Sequence, residues 1–288
     1  MRVLVVGGGG QVGRAAVRLL TAQHEVIVKT RADLDIVDES AVARCLAESQ
    51  PDWILNAAAY TAVDLAEIES SQAFSINESA PGALAKAARA TATRLIHLST
   101  DFVFDGRAGR PYLPADTPNP LSAYGKSKLA GETRVLQSGG NHIILRTAWI
   151  YAAVGRNFVL TMLRLMNERD EVRVVCDQIG TPTWATSVAE AIKAMIECQA
   201  PAGIYHWTDL GVASWYDFAA AIQEEALDRG LISHAVPIVP ITTEEYPARA
   251  QRPAFSVLNC GAARGLLSIP TYHWRESLRA MLDELRSL

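Results

Sequence analysis

Five short stretches, "RVLVV", "EVIVK", "DWILNAAA", "RLIHLST" and "HIILRT", are apolar almost without interruption. They lack the polar–apolar alternation of a strand with one wet face, so each is expected to be a strand buried on both faces of a sheet. Between them lie helical patterns, Gln11 to Ala22, Glu39 to Ala47 and Ser75 to Ala90. Strands that alternate with helices and are covered on both sides must be joined by crossovers, which predicts an α/β fold around a doubly wound parallel sheet. With 288 residues, 49% of them hydrophobic, the chain can bury such a sheet and still build a smaller lobe.

After Thr147 the rhythm loosens. Helical segments near Asn157 to Glu168, Ser187 to Cys198, Trp215 to Ala226 and Trp274 to Leu285 are separated by loops such as "DQIGTPT" and "ITTEEYPARAQRP". The formal net charge of −4 and the absence of a long Lys/Arg block argue against a nucleic-acid or membrane-surface partner, leaving a small molecule. No apolar stretch approaches the roughly 20 residues of a membrane span and no leader is evident, so the expected location is cytoplasmic. The four cysteines and six histidines are scattered, with no C-x-x-C, so neither a structural metal nor a disulfide framework is expected.

The first strand runs into "GGGGQVG". Gly8, Gly10 and Gly13 spell G-x-G-x-x-G, whereas Gly7, Gly10 and Gly13 spell G-x-x-G-x-x-G. In a strand–loop–helix context either form lets Gly7 and Gly10 turn tightly, brings helix and strand together at Gly13, and aims free N–H groups around Gln11 and Val12 at a pyrophosphate. The end of the second strand carries mixed signals for the adenosine. Arg31 suits a 2′-phosphate, while Asp33 or Asp35, next to Ile36, suits a ribose hydroxyl; NADPH is favoured and NADH is the alternative. Small side chains from Asn56 through Ala57, Ala58 and Ala59 end the third strand and would let a cofactor pass close to the backbone. Residues 1–147, rejoined by about 186–204, are thus read as a dinucleotide-binding domain, with 148–185 and 205–288 forming a smaller, partly interleaved C-terminal substrate lobe.

In "SAYGKSKLAGE", Tyr124 and Lys128 lie four residues apart, on one face if the segment is helical. A free phenol has a pKa of about 10, and a nearby ammonium favours its ionised form, so the pair could exchange a proton with a substrate oxygen. Thr100 closes the fourth strand at the carboxyl edge, where doubly wound sheets bind ligands, and could donate to the same carbonyl. Lys126 and Glu132 are expected on the solvent face of this helix.

The segments "GGGGQVG", "NAAAYTAVDLAE", "STDFVFDG", "PLSAYGKSKLAGE", "LRTAWIY", "NFVLTMLRL", "DQIGTPT" and "RPAFSVLN" together resemble, in the same order, the dTDP-4-dehydrorhamnose reductase family of extended short-chain dehydrogenases/reductases. That resemblance favours the Gly7, Gly10, Gly13 spacing and implies a Rossmann-type fold. It also implies reduction of the C4 keto group of dTDP-4-dehydro-L-rhamnose to dTDP-L-rhamnose with NADPH or NADH. Residue by residue, Tyr124 matches the proton donor, Lys128 the group that lowers its pKa and holds the nicotinamide ribose, and Thr100 the hydroxyl that orients the carbonyl. Thr61, Val63, Phe102, Trp149 and Asn157 match positions along the sugar and nicotinamide cleft, and Arg252, or Arg156, could take the diphosphate.

The chain also departs from the pattern. Phe102 stands where the family usually has Tyr, Phe255 where Asn is common, and Gln251 where a second Arg is frequent. These changes leave the sugar open, and another dTDP-4-keto-6-deoxyhexose is the nearest alternative substrate. A non-catalytic NADP-binding subunit like that of methionine adenosyltransferase, or an epimerase that retains its cofactor, are more distant readings. Some members bridge two chains through a metal held just after the loop; here Arg14, Ala15 and Ala16 follow, so no metal is expected and monomer or homodimer stays open.

Overall fold

The computed structural model describes all 288 residues. Its centre is a six-stranded sheet: β1 (Arg2–Val6), β2 (Glu25–Lys29), β3 (Trp53–Asn56), β4 (Arg94–Thr100), β5 (His142–Thr147) and β6 (Gly203–His206). The spatial order is β6-β5-β4-β3-β1-β2, and every pairing is parallel. The five apolar runs are thus the first five strands.

Because side chains alternate along a strand, the runs feed two cores; β2 is the exception to the expected double burial, because at the edge of the sheet its Glu25 and Val28 are exposed and its other side chains only half-buried. Val3, Val5, Trp53, Leu55, Ile96, Ile143 and Leu145 face helices α1 (Gln11–Leu20) and, later in the chain, Ala185–Glu197. Leu4, Val6, Ile54, Leu95 and Ile144 face α2 (Glu39–Ser49), α3 (Ala80–Ala90) and α4 (Ala123–Gln137). Each such fully buried aliphatic side chain contributes about 1.5–3 kcal/mol, and Ile54→Ala at the sheet centre would cost about 2–5 kcal/mol.

α2 and α4 begin behind side-chain caps. Asp38 accepts from the N–H groups of Ser40 and Ala41 ahead of α2, and Ser122 accepts from Gly125 N–H ahead of α4. β6 carries no strong sequence signal: "GIYH" is short, begins with glycine, and extends the sheet by register with Ile143 to Arg146 of β5.

The remaining chain forms a separate core in which Tyr151, Val159, Met162 and Met166 meet Phe218, Ile222, Trp274 and Leu278. It is built on α5 (Phe158–Glu168), α7 (Trp215–Asp228) and α8 (Trp274–Arg286), whereas α6 (Ala185–Glu197) packs on the sheet beside α1. No helix is long and apolar enough to cross a membrane.

Candidate active site

The strand order reverses between β1 and β3, and the carboxyl ends of these two strands define a crevice. Gly7, at φ +80°, ends β1; a Cβ there would lie 2.5 Å from the Ala58 backbone nitrogen, so only glycine lets the loop approach the end of β3. Gly10 caps α1 without any side-chain cap, and the N–H groups of Gln11, Val12 and Gly13 make no backbone hydrogen bond. An uncapped helix start with three free donors is suited to an anion. Val12 and Gly13 are buried against the sheet, so only their backbones can serve.

A cavity of about 640 Å³ lies elsewhere, at the amino edge of the sheet around Pro51, Thr91 and Arg94. The crevice itself encloses about 600 Å³ and is lined by Gly7, Gly10, Arg31, Asp35, Ile36 and Ala57 to Ala59. Thr30, Leu34, Gln72, Ser75 and Ile76 also line it, though nothing in their local sequence singles them out. Asn56 stands just behind: its Oδ1 accepts from Ala58 N–H and its amide meets buried His97 at 3.1 Å. Asp33 is already engaged, because the Thr30 hydroxyl and N–H both donate to it and hold its carboxyl below the usual range. Asp35 accepts from Val37 N–H, and Arg31 is exposed with no acidic partner. Asp33 is thereby withdrawn, leaving Arg31 and Asp35 as the two charged side chains that line the crevice.

Along the same edge, residues 57–60 lead to a second cluster in which Tyr124 packs with Tyr60, Val63, Ala66, Ala73 and Phe102. The Phe102 ring meets the phenol edge-on at 5.6 Å. α4 approaches so closely that a Cβ at Gly125 would collide with the Phe102 carbonyl. Burial pushes the Tyr124 phenol up to about 12, against hydrogen bonding with Thr100 that lowers it and with the Asp101 charge adding to the rise. Lys128 Nζ donates to the Leu98 carbonyl at 2.6 Å; burial pulls its ammonium down to about 8, while Glu132 pulls it up. Burial thus outweighs the effect on the phenol expected from the four-residue spacing. Thr100 donates to Asp101 at 3.0 Å. Asp101, which no local sequence signal singles out, is buried, pushed up to about 6 by desolvation, and has one carboxyl oxygen without a partner.

Trp149 has φ +48°, a conformation that costs a bulky residue about 1–3 kcal/mol and persists only where its surroundings enforce it. Here its indole stacks on Trp215 with centroids 3.5 Å apart and planes 3° from parallel, and the Gly180 position leaves no room for a side chain against it. Trp215 opens α7 behind a Ser214–Asp217 capping box, a local signal of a helix start but not of the stack.

Several expected contacts take other forms. Thr61 is exposed beside the Tyr124 cluster. Asn157 caps α5 through Leu160 N–H and donates to Gln11 and to the Ala152 carbonyl, so its side chain ties two loops together. Gln11 is accordingly turned away from the crevice, toward residues 156–157. Arg252 forms a forked pair with Asp64 at 2.7 and 3.4 Å, fastening residues 249–252 over the Thr61–Val63 segment. Lys126 is exposed as expected, but Glu132 is not: it is 1% exposed and ion-paired with Arg146. The charge reads as solvated only until its partner on β5 is known.

Residues 1–287 match the family described as RmlD substrate binding domain. The chain belongs to this family. It is similar to the dTDP-4-dehydrorhamnose reductase of Burkholderia thailandensis, 41% identical over the whole of both chains. The dTDP-4-dehydrorhamnose reductase of Bacillus anthracis, solved in complex with NADP, superposes with a TM-score of 0.92 at 34% identity, covering 98% of this chain and 99% of that one. A probable dTDP-4,6-dihydroxy-2-methyloxan-3-one 4-ketoreductase of Streptomyces antibioticus is 39% identical, over 99% of this chain and 96% of its own. In this RmlD-family chain the glycine loop joins the first strand of a Rossmann-type sheet to α1.

Proposed function

We propose that this protein reduces the C4 keto group of dTDP-4-dehydro-L-rhamnose to dTDP-L-rhamnose with NADPH. The observation that carries the reading is the full-length match to a dTDP-4-dehydrorhamnose reductase, in a chain whose Tyr124 lies by Thr100 at the end of β4 and whose Lys128 reaches the Leu98 carbonyl two residues before it.

The crevice suits the cofactor in two respects: three free N–H groups for the pyrophosphate, and unpaired Arg31 for a 2′-phosphate. Bound there, NADPH supplies a hydride to the sugar carbon. Tyr124, protonated at neutral pH, gives its proton to the oxygen that gains negative charge. Thr100, on turning its hydroxyl hydrogen from Asp101 to that oxygen, would orient it, and the Lys128 ammonium, still mostly protonated at pH 7, would stabilise the charge and help hold the nicotinamide ribose. Val63, Phe102 and Trp149 form the apolar walls that face the sugar. Arg252 meets the diphosphate only if it exchanges part of its pairing with Asp64.

Residues 1–147 with about 186–204 form the bulk of the cofactor half and the second core belongs to the rest, a division that the two cores support except that β6 runs on to His206 and that Ala152, Trp207, Ala263 and Leu267 pack with the sheet. The Streptomyces relative, together with Phe102 and Phe255, favours a second reading in which the substrate is a different dTDP-4-keto-6-deoxyhexose.

The test is NADPH oxidation with dTDP-4-dehydro-L-rhamnose, with NADH in parallel and the product identified by NMR. Turnover to dTDP-L-rhamnose supports the first reading; turnover only with related keto sugars supports the second. Cofactor binding without turnover on any of them overturns both.

A further inference from the structure

One face of α4 carries Tyr124, Lys128 and Glu132 at intervals of four, and all three point at the strands beneath. Tyr124 lies by Thr100, Lys128 reaches the Leu98 carbonyl, and Glu132 sits in a nest of donors. Arg146 on β5 gives it two hydrogen bonds, Nε to Oε1 at 2.8 Å and Nη2 to Oε2 at 2.6 Å, and Ser99 on β4 donates to Oε1 as well. The side chains of the pair are each 2% exposed. Arg146 is held in turn by the Pro114 carbonyl, by His206 on β6 and by the Phe104 ring.

Burying two charges costs several kcal/mol per ion, and well-packed apolar residues often stabilise a fold as well or better. Stability is therefore a weak reason for this pair. Its position suggests a stronger one, because Ser99 precedes Thr100 and Glu132 follows Lys128 by a single turn.

We propose that Glu132, clamped by Arg146 and Ser99, is the positioning residue that sets Lys128 and Tyr124 of α4 in register with Thr100 at the end of β4. Glu132 also supplies the negative charge that faces the Lys128 ammonium. The other groups that face that ammonium are the Leu98 carbonyl and neutral, fully buried His97, both from β4; Tyr124 precedes Lys128 by one turn on its own helix and is acted on by Asp101, and Arg146 stands beyond Glu132. The link to turnover rests on the ketoreductase reading, but the clamp itself can be examined without substrate.

The experiment follows the Lys128 titration by NMR in full-length protein carrying ¹³C-labelled lysine, which is tractable because the chain has only five lysines. Wild type, Glu132→Gln and Ser99→Ala are compared. Glu132→Gln is expected to titrate Lys128 at lower pH, and Ser99→Ala to leave that titration in place. Both should lower kcat, Glu132→Gln by about 10- to 100-fold as expected for a displaced catalytic group, with NADPH affinity little changed. The alkaline fall of kcat/KM should move to lower pH only in Glu132→Gln. An unchanged Lys128 titration in folded Glu132→Gln overturns the proposal. If that variant does not fold, Ser99→Ala decides: reduced kcat at unchanged NADPH affinity supports the clamp, and wild-type kcat overturns it. Failure of wild type to turn over would instead count against the ketoreductase reading, leaving the titration to judge Glu132.

Discussion

The two ends of the crevice are made of different material. The cofactor end is mostly backbone: the turn at Gly7, the open start of α1, and the Ala57 to Ala59 strand end, all contributed by residues near one another in sequence. The substrate end is made of side chains from distant segments, with Arg252 paired to Asp64 188 positions away and Trp149 stacked on Trp215. A backbone site should tolerate changes of charge and pH, whereas a side-chain site should be sensitive to both.

The sharpest division between the two ends comes from Tyr124→Phe. Loss of the phenolic proton should reduce kcat by about 10²- to 10⁴-fold, while NADPH affinity, measured by fluorescence titration, stays near wild type. A parallel loss of cofactor affinity would mean that the two ends are not separable.

Next in size is the pH dependence of stability. Burial pushes Asp209, like Asp101, up to about 6. Because the folded pKa lies above the unfolded value, the stability each contributes is complete below about pH 4 and is lost as pH rises through 6. Replacing Asp209 by Asn removes that loss. Relative to wild type, the variant should gain up to about 3 kcal/mol between pH 4 and pH 7, read by urea unfolding at both. Equal differences at the two pH values would refute a buried titrating carboxyl.

A smaller effect is expected at the cofactor end, where the cation without an acidic partner is Arg31. Arg31→Ala should weaken NADPH binding by about 10- to 100-fold and leave NADH unaffected, bringing the two cofactors together. Equal losses for both would make Arg31 a general contact instead of a 2′-phosphate reader.

The smallest effect blurs the comparison in an informative way. Asn157→Ala should cost about 1 kcal/mol of stability through loss of the α5 cap, with KM for the sugar unchanged in steady-state kinetics. A large rise in KM would restore Asn157 to the substrate cleft.

This contrast also explains what could be read from sequence. β1, β3, β4 and β5 were visible because burial on both faces leaves unbroken apolar runs, most of the helices because of their periodicity, and the glycine loop because tight turns need glycine at fixed spacing; β2 carries the same kind of run although, as an edge strand, it is only half-buried. β6 was hidden, since four residues beginning with glycine become a strand only beside β5. Glu132 was misjudged because a carboxylate on a helix is usually solvated, and nothing near it in sequence announces Arg146. Asp101 and Trp215 escaped for the same reason: their significance lies in what they touch, and those partners come from other parts of the chain.

β6 has a consequence for how the molecule can be cut. The polypeptide leaves the sheet after β5, builds much of the second core, and returns at Gly203 to form the outermost strand before departing again. A fragment ending at residue 147 would expose the whole hydrogen-bonding edge of β5, whose six residues are all buried in the intact protein. Such an edge is a template for intermolecular pairing. The glycine-loop half is therefore no detachable cassette: separated from its partner it should aggregate, and exchanging substrate halves between relatives would require two matched junctions instead of one.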